Sequence, residues 1–228
     1  MERNLPLEPF MLASRVERLE RAATSRTRTL TMVLDGVHDP HNLSAVVRSC
    51  EGFGLLDLHV VESHAGFRVS KKISQGAEKW LDVHRHCDPA GCIHALWQAG
   101  FQLWVAAPGT AHHRVQDLPV DRPLALVFGN ERDGASIAMQ RAAAGCFQVP
   151  MCGFSQSFNV SVAAGIALAF VVEARRQRPQ GHGDLSAAER AALVAVWQRR
   201  SVRHADRILS RLARSGGPEE ECRDAANR

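Results

Sequence analysis

The sequence predicts an α/β protein: a mostly parallel sheet with helices on both faces, flanked by helical extensions at its two ends. Three observations carry this. Short apolar runs at 30–34 (L-T-M-V-L), 58–61 (L-H-V-V), 102–107 (Q-L-W-V-A-A) and 124–128 (L-A-L-V-F) alternate with stretches of helical character. The 124–128 run shows no polar alternation, as a strand buried on both faces requires. Polar turns follow several of these runs (Asp35-Gly36, Gly129 to Gly134, Pro150 to Asn159), where open parallel sheets place their ligands.

Taken in order, residues 11–22 form a short amphipathic helix with Met11, Val16 and Leu19 on one side and Arg15, Arg18 and Arg21 facing outward. The first strand, Leu30 to Leu34, ends at Asp35-Gly36. Asp39-Pro40 then makes a turn, Asn42 or Ser44 caps a helix to about Glu51, and Gly52 and Gly54 terminate it. Leu58 to Val61 is a second strand and Trp80 to Val83 a short β-like piece. A helix at 90–99 and a strand at 102–107 follow. After the 124–128 strand, Ser136 opens a helix to about Ala143. Phe147 to Val149 is the last strand, and a loop leads into an apolar helix to about Gln177, capped by Asn159 or Ser157. Beyond Pro179 to Gly183 the pattern changes to two short helices, Ser186 to Trp197 and the strongly basic Val202 to Leu212. The expected organisation is an N-terminal basic extension (1–28), a central domain (29–178), a C-terminal basic helical extension (179–214) and a disordered tail (215–228).

Composition narrows the class. The chain has 228 residues, of which 45% are hydrophobic and 23% charged, enough for a core. No apolar run follows Met1-Glu2-Arg3-Asn4, and none approaches the roughly eighteen residues of a membrane span. A cytoplasmic protein is expected, and the six scattered cysteines suit a reducing compartment. His84, His86, Cys87, Cys92 and His94 are of metal-ligand type, but their spacing fits no standard finger and no metal is expected. Net charge is only +4, yet ten arginines between Arg175 and Arg214 face three acids, which points to a polyanionic partner, nucleic acid foremost.

Three polar constellations follow predicted strands: Asn42 with Arg48, Gly129-Asn130-Glu131, and Ser157-Phe158-Asn159. In this order, H-N-L-S-A-V-V-R (41–48), V-F-G-N-E-R-D-G (127–134) and V-P-M-C-G-F-S-Q-S-F-N-V-S-V-A-A (149–164) resemble the three motifs of the SPOUT superfamily, specifically the SpoU/TrmH-type RNA ribose 2′-O-methyltransferases. The pattern H-x-P-H-N-L-S-A-x-x-R, the length and the basic flanks are most similar to the enzymes acting on the D-loop guanosine of tRNA. A dinucleotide site is the competing reading, but no G-x-G-x-x-G occurs.

The resemblance implies a C-terminal deep trefoil knot, a homodimer, and S-adenosylmethionine held by backbone groups at Ala106, Gly129, Val149, Met151 and Phe158. It implies Arg48 as the catalytic residue, with Asn42, Glu131, Ser157 and Asn159 supporting it. Arg15, Arg18 and Arg21 at one end and Arg175, Arg176 and Arg178 at the other are the expected phosphate contacts to tRNA. Two departures stand out. Asp39 occupies a position where relatives usually carry lysine, and the basic segment 173–178 sits three residues late on its helix.

Overall fold

A computed structural model describes residues 7–62, 69–109 and 111–215. The expected tail at 215–228 lies, but for its first residue, outside them. The described chain runs α1 (Ala13–Thr24), β1 (Leu30–Asp35), α2 (Pro40–Gly52), β2 (Asp57–Val61), α3 (Lys71–Ser74), β3 (Asp82–His86), α4 (Pro89–Gln98), β4 (Gln102–Ala106), β5 (His113–Arg114), β6 (Leu124–Gly129), α5 (Ile137–Ala142), β7 (Gly145–Gln148), α6 (Val160–Arg176), α7 (Ala187–Ser201) and α8 (Ala205–Ser215). Contacts divide it into two units. One is Ser25–Leu185, with the whole sheet; the other combines the two ends, up to Thr24 and from Ser186.

The sheet has seven strands in the order β3-β2-β1-β6-β4-β7-β5, and every pairing is parallel. Its two halves meet where β1 pairs with β6, with Asp35 opposite Gly129 at their carboxyl ends. The strand order reverses there, and such a switch point opens a crevice for a ligand. Side-chain alternation sorts the core. Met32, Leu34, Leu58, Val60, Leu126 and Phe128 join α2 and α6 on one face. Val33, Val61, Val105, Ala125 and Val127 meet Cys92, Ile93 and Leu96 of α4 and Met139 of α5 on the other.

Several local expectations shift. Neither Asn42 nor Ser44 caps α2: Asp39 does, its carboxylate accepting from the backbone N–H of His41 at 2.9 Å, with Pro40 at the first helical position. Ser44 instead donates to the Pro40 carbonyl and accepts from the Ser70 N–H. The β-like stretch at 80–83 is the end of a 3₁₀ turn (Ala77–Trp80) followed by β3. The last strand begins at Gly145 and ends before Val149. The two-residue β5 is new, since a piece that short has no periodicity to read.

The amino end of the sheet is closed by a polar network. Asp184 accepts from the Thr27 hydroxyl, the Thr29 hydroxyl and the backbone N–H groups of Arg28 and Thr29. Desolvation pushes its carboxyl up, but these hydrogen bonds outweigh it and hold it below the usual carboxylate range. Beside it, His182 donates from Nε2 to the Phe53 carbonyl, 2.8 Å away, and burial lowers its imidazole. Gly54 lies beneath with φ of 87°; a Cβ there would meet the Ser25 carbonyl oxygen at 2.4 Å, so only glycine fits. In the other unit, α1 buries Leu19 and Ala23, and α7 packs along it with Leu193, Val194 and Trp197 buried. A Ser186–Glu189 capping box opens α7.

Candidate active site

The three polar constellations converge at the carboxyl ends of the central strands. The turn after β6 is fixed by Asn130, whose side-chain oxygen accepts from the N–H groups of Arg132 (2.9 Å) and Asp133 (2.7 Å). The turn folds so tightly on Gly129 that a Cβ there would lie 1.9 Å from the Gly134 carbonyl carbon. Glu131 projects from this turn. Its carboxylate accepts from the Asn42 amide nitrogen at 2.5 Å, and the Asn42 oxygen accepts from the Asn159 amide at 3.0 Å. The Asn159 oxygen in turn caps α6, accepting from the Ser161 N–H (2.9 Å) and hydroxyl (2.6 Å). One directional chain of amides therefore ties α6 to α2 and α2 to the β6 turn. Asn42, with 9% of its surface exposed, spends both its polar atoms on this chain.

Beside it opens a cavity of about 370 Å³. Val105, Ala106, Phe128, Val160 and Ala163 give it an apolar wall, and Glu131, Arg132, Gln140 and Ser157 a polar rim. Such a mix suits a mid-sized organic ligand with a polar end. Of the residues expected around a cofactor, Ala106, Gly129 and Phe158 line it. Val149 and Met151 do not; Val149 packs against the main core. Cys146, Gln140 and Arg132 line it without having been singled out, because nothing in local sequence marks a residue brought in by strand order.

Arg48 is exposed on α2 and has no hydrogen-bond or ion-pair partner among the described residues. Asn42, Ser157 and Asn159 make no bond to Arg48 among the described residues: the two amides bond to one another, and Ser157 sits on the cavity rim.

The arginines expected to face RNA divide. Arg175 is a correction. It is 3% exposed, and its guanidinium donates to the Thr29 hydroxyl, the Thr29 carbonyl and the Arg122 carbonyl, all at 2.9 Å. It joins the strand ends from beneath and is not available to a phosphate. Arg178 is half-buried and donates to the Val120 carbonyl at 2.6 Å. Arg18, Arg21 and Arg176 are exposed, and Arg15 is half-buried. Arg203, Arg207 and Arg211, four apart at the start of and along α8, are exposed as well.

No helix among the described residues is long and apolar enough to cross a membrane. At the β2–β3 edge the pairing register brings His59 beside His84 and His86, with Cys92 of α4 close by. Spacing alone does not join His59 to this group, since it lies a whole element away from the rest.

The family model for SpoU rRNA methylases matches residues 29–169. The chain is 35% identical over 165 residues to the tRNA (guanosine(18)-2′-O)-methyltransferase of Thermus thermophilus, covering 72% of this chain and 84% of that protein. The crystal structure of the Aquifex aeolicus TrmH/SpoU tRNA modifying enzyme superimposes with a TM-score of 0.76 at 28% identity, over 83% of this chain and 98% of that one. The SpoU methyltransferase AviRb from Streptomyces viridochromogenes, solved with AdoMet, shares the fold with a TM-score of 0.60 at 24% identity over 68% and 62% of the two chains. With its three motifs joined by hydrogen bonds and a family match across more than half its length, this chain belongs to the SpoU methylase family.

Proposed function

We propose that the protein transfers a methyl group from S-adenosylmethionine to a ribose 2′-hydroxyl of RNA, with the D-loop guanosine of tRNA as its target. The observation that carries the reading is the amide chain: Asn159, Asn42 and Glu131, one from each motif, are hydrogen-bonded in series, and the chain ends at Glu131 on the cavity rim, while α2, which carries Asn42, also carries the exposed Arg48. The Thermus thermophilus and Aquifex aeolicus relatives named for guanosine 18 support the choice of tRNA.

The cavity fits the cofactor by size and by chemistry. Its apolar wall suits the adenosine, and its polar rim suits the charged amino-acid end. When bound, S-adenosylmethionine supplies an electrophilic methyl on a sulfonium. Ala106, Gly129 and Phe158 are its side of the cavity; Val149 and Met151 do not line it.

The protein's own task is to bring the 2′-oxygen to about 3–3.5 Å from that methyl and to stabilise charge on the oxygen as it loses its proton. Arg48 binds the phosphate beside the target ribose and steadies the developing alkoxide. A guanidinium keeps its own proton, so Arg48 acts as an electrostatic and orienting group and not as the base. Asn42 acts through the amide chain, tying Glu131 on the cavity rim to Asn159 at the head of α6. Ser157 meets the substrate at the rim. No metal is called for in this reaction.

RNA is held by charge and shape. Arg18, Arg21 and the α8 arginines of one unit, with Arg15, and Arg176 of the other, with Arg178, supply phosphate contacts. A second copy of the chain covers the face of α6 that exposes Val162, Ala169 and Phe170. The fully exposed Phe154 in the preceding loop belongs to the same proposed dimer. The trefoil knot and a cytoplasmic location complete the reading. Ribosomal RNA is the second candidate substrate, because the matching family model is named for rRNA methylases.

The test is methylation of unmodified tRNA transcript and of rRNA fragments with labelled cofactor, mapped to the nucleotide. Transfer to rRNA alone removes the substrate claim. Cofactor binding with no transfer to any RNA removes the enzyme claim.

A further inference from the structure

We propose that His59, His86 and Cys92 form a binding site for one divalent transition-metal ion of the zinc type at the β2–β3 edge of the sheet. None of the three lines the cavity, and the inference stands apart from the methyl-transfer reading.

The site is made by register. Parallel pairing sets His59 opposite His84 and Val61 opposite His86, so His59, His84 and His86 share one sheet face. Helix α4, begun by the Asp88 cap and Pro89, lays Cys92 on that same face within its first turn. Nδ1 of His59 and Nε2 of His86 are 3.0 Å apart, and the Cys92 sulfur lies within 4.8 Å of both.

That geometry matches what an ion needs. Two imidazole nitrogens bound at about 2.0–2.1 Å stand roughly 3.0–3.4 Å apart at bond angles near 90–110°, and a thiolate binds at about 2.3 Å. As the rings stand, the two nitrogens face one another in a hydrogen bond, with centroids 5.3 Å apart and planes 10° from parallel. A modest tilt of the rings makes both lone pairs converge, and the ion takes the place of the shared proton. That proton moves to the ring nitrogen turned away, and the Cys92 thiol gives up its own to solvent. Two neutral imidazoles and one thiolate then hold a dication, with the fourth position left to water.

The donor set selects the ion. Two nitrogens and one sulfur favour Zn²⁺ or Co²⁺ over Mg²⁺ or Ca²⁺, which prefer oxygen. His84 does not compete, because Asp57 holds its Nε2 at 2.8 Å while its ring stacks on His59 at 4.7 Å and fixes that ring's plane. His59 and Cys92 are buried, and the half-buried His86 is the side from which an ion enters. Bound there, the ion ties the edge strand β3 and helix α4 to β2.

The test is a titration of chelator-treated, full-length protein with Co²⁺. The expected result is one equivalent bound, tetrahedral ligand-field bands, a thiolate-to-cobalt charge-transfer band, and displacement by Zn²⁺. His86→Gln should weaken binding by at least about tenfold, and Cys92→Ser should abolish the charge-transfer band. The wild-type spectrum reads the thiolate directly, so a variant that misfolds does not decide the matter. No charge-transfer band on the wild-type protein would overturn the proposal, leaving a hydrogen-bonded histidine pair beside a buried thiol. Cobalt binding that both substitutions leave unchanged would overturn it too, by placing the ion elsewhere.

Discussion

The two ends of the central sheet carry polar networks of similar size built to opposite ends. At the amino end, Arg175, Asp184, Thr27 and Thr29 close on one another and on backbone, and little but the Arg175 Nε is left without a partner. At the carboxyl end, the Asn159–Asn42–Glu131 chain is satisfied internally, yet it stops at a cavity, and the same helix α2 carries an exposed Arg48 that has no partner among the described residues. A network that consumes its own charges holds a fold together; one that leaves a charge standing is prepared for a ligand. Arg48 and Arg175 are the same residue type on helices packed against each other, and only their surroundings separate the two roles.

The sharpest way to break this contrast is Arg48→Ala. Methyl transfer should fall by about 10²–10³-fold, as for loss of one preorganised stabilising group, while equilibrium binding of the cofactor stays as in the parent. Asn42→Ala comes next. Cutting the chain loosens the β6 turn from α6, and a displacement of about 1 Å costs on the order of 10²-fold in single-turnover rate.

A buried arginine and exposed ones should then fail in different assays. Arg175→Met strands the Arg122 carbonyl, at about 1–3 kcal/mol, while the Thr29 carbonyl keeps the Leu124 N–H; the loss is measurable by denaturant unfolding with no change in the KM for RNA. Arg18→Ala and Arg21→Ala should do the reverse, leaving stability alone, raising KM and each lowering the salt slope by about 1.

The smallest effect is on pH. The Asp184 carboxyl is held below its unfolded value, so its contribution is complete at neutral pH and is lost as pH falls through the lowered folded value. His182, lowered by burial, acts in the same direction but begins to cost stability at higher pH, once its unfolded form starts to protonate. The Tm gap between parent and Asp184→Asn should therefore narrow on acidification below about pH 4. A gap that widens would remove the amino-end network from the account.

Much of this was legible in the sequence. The runs at 30–34, 58–61 and 124–128 are strands because a doubly covered parallel strand is apolar throughout, and periodicity marked the long helix α6. The ordered motifs located Asn42, Glu131 and Asn159 at one site. Their mutual bonding was not legible, because it depends on β1 pairing with β6 and on Asp39 taking the cap that would have occupied Asn42. Arg175 misled for a related reason: a guanidinium at a helix end looks solvated until the strand termini beneath it present three oxygens. His59 could not be grouped with His86 and Cys92 from spacing, since a register between strands joins them.

The central claim is that the carboxyl-end network serves chemistry at a ribose hydroxyl. The most direct measurement compares transfer of labelled methyl to two tRNA transcripts that differ at one position, guanosine or 2′-deoxyguanosine at D-loop position 18. The expected result is full labelling of the first and none of the second, with both bound equally well. Labelling of the deoxy transcript at that nucleotide would place the methyl on the base and contradict the account.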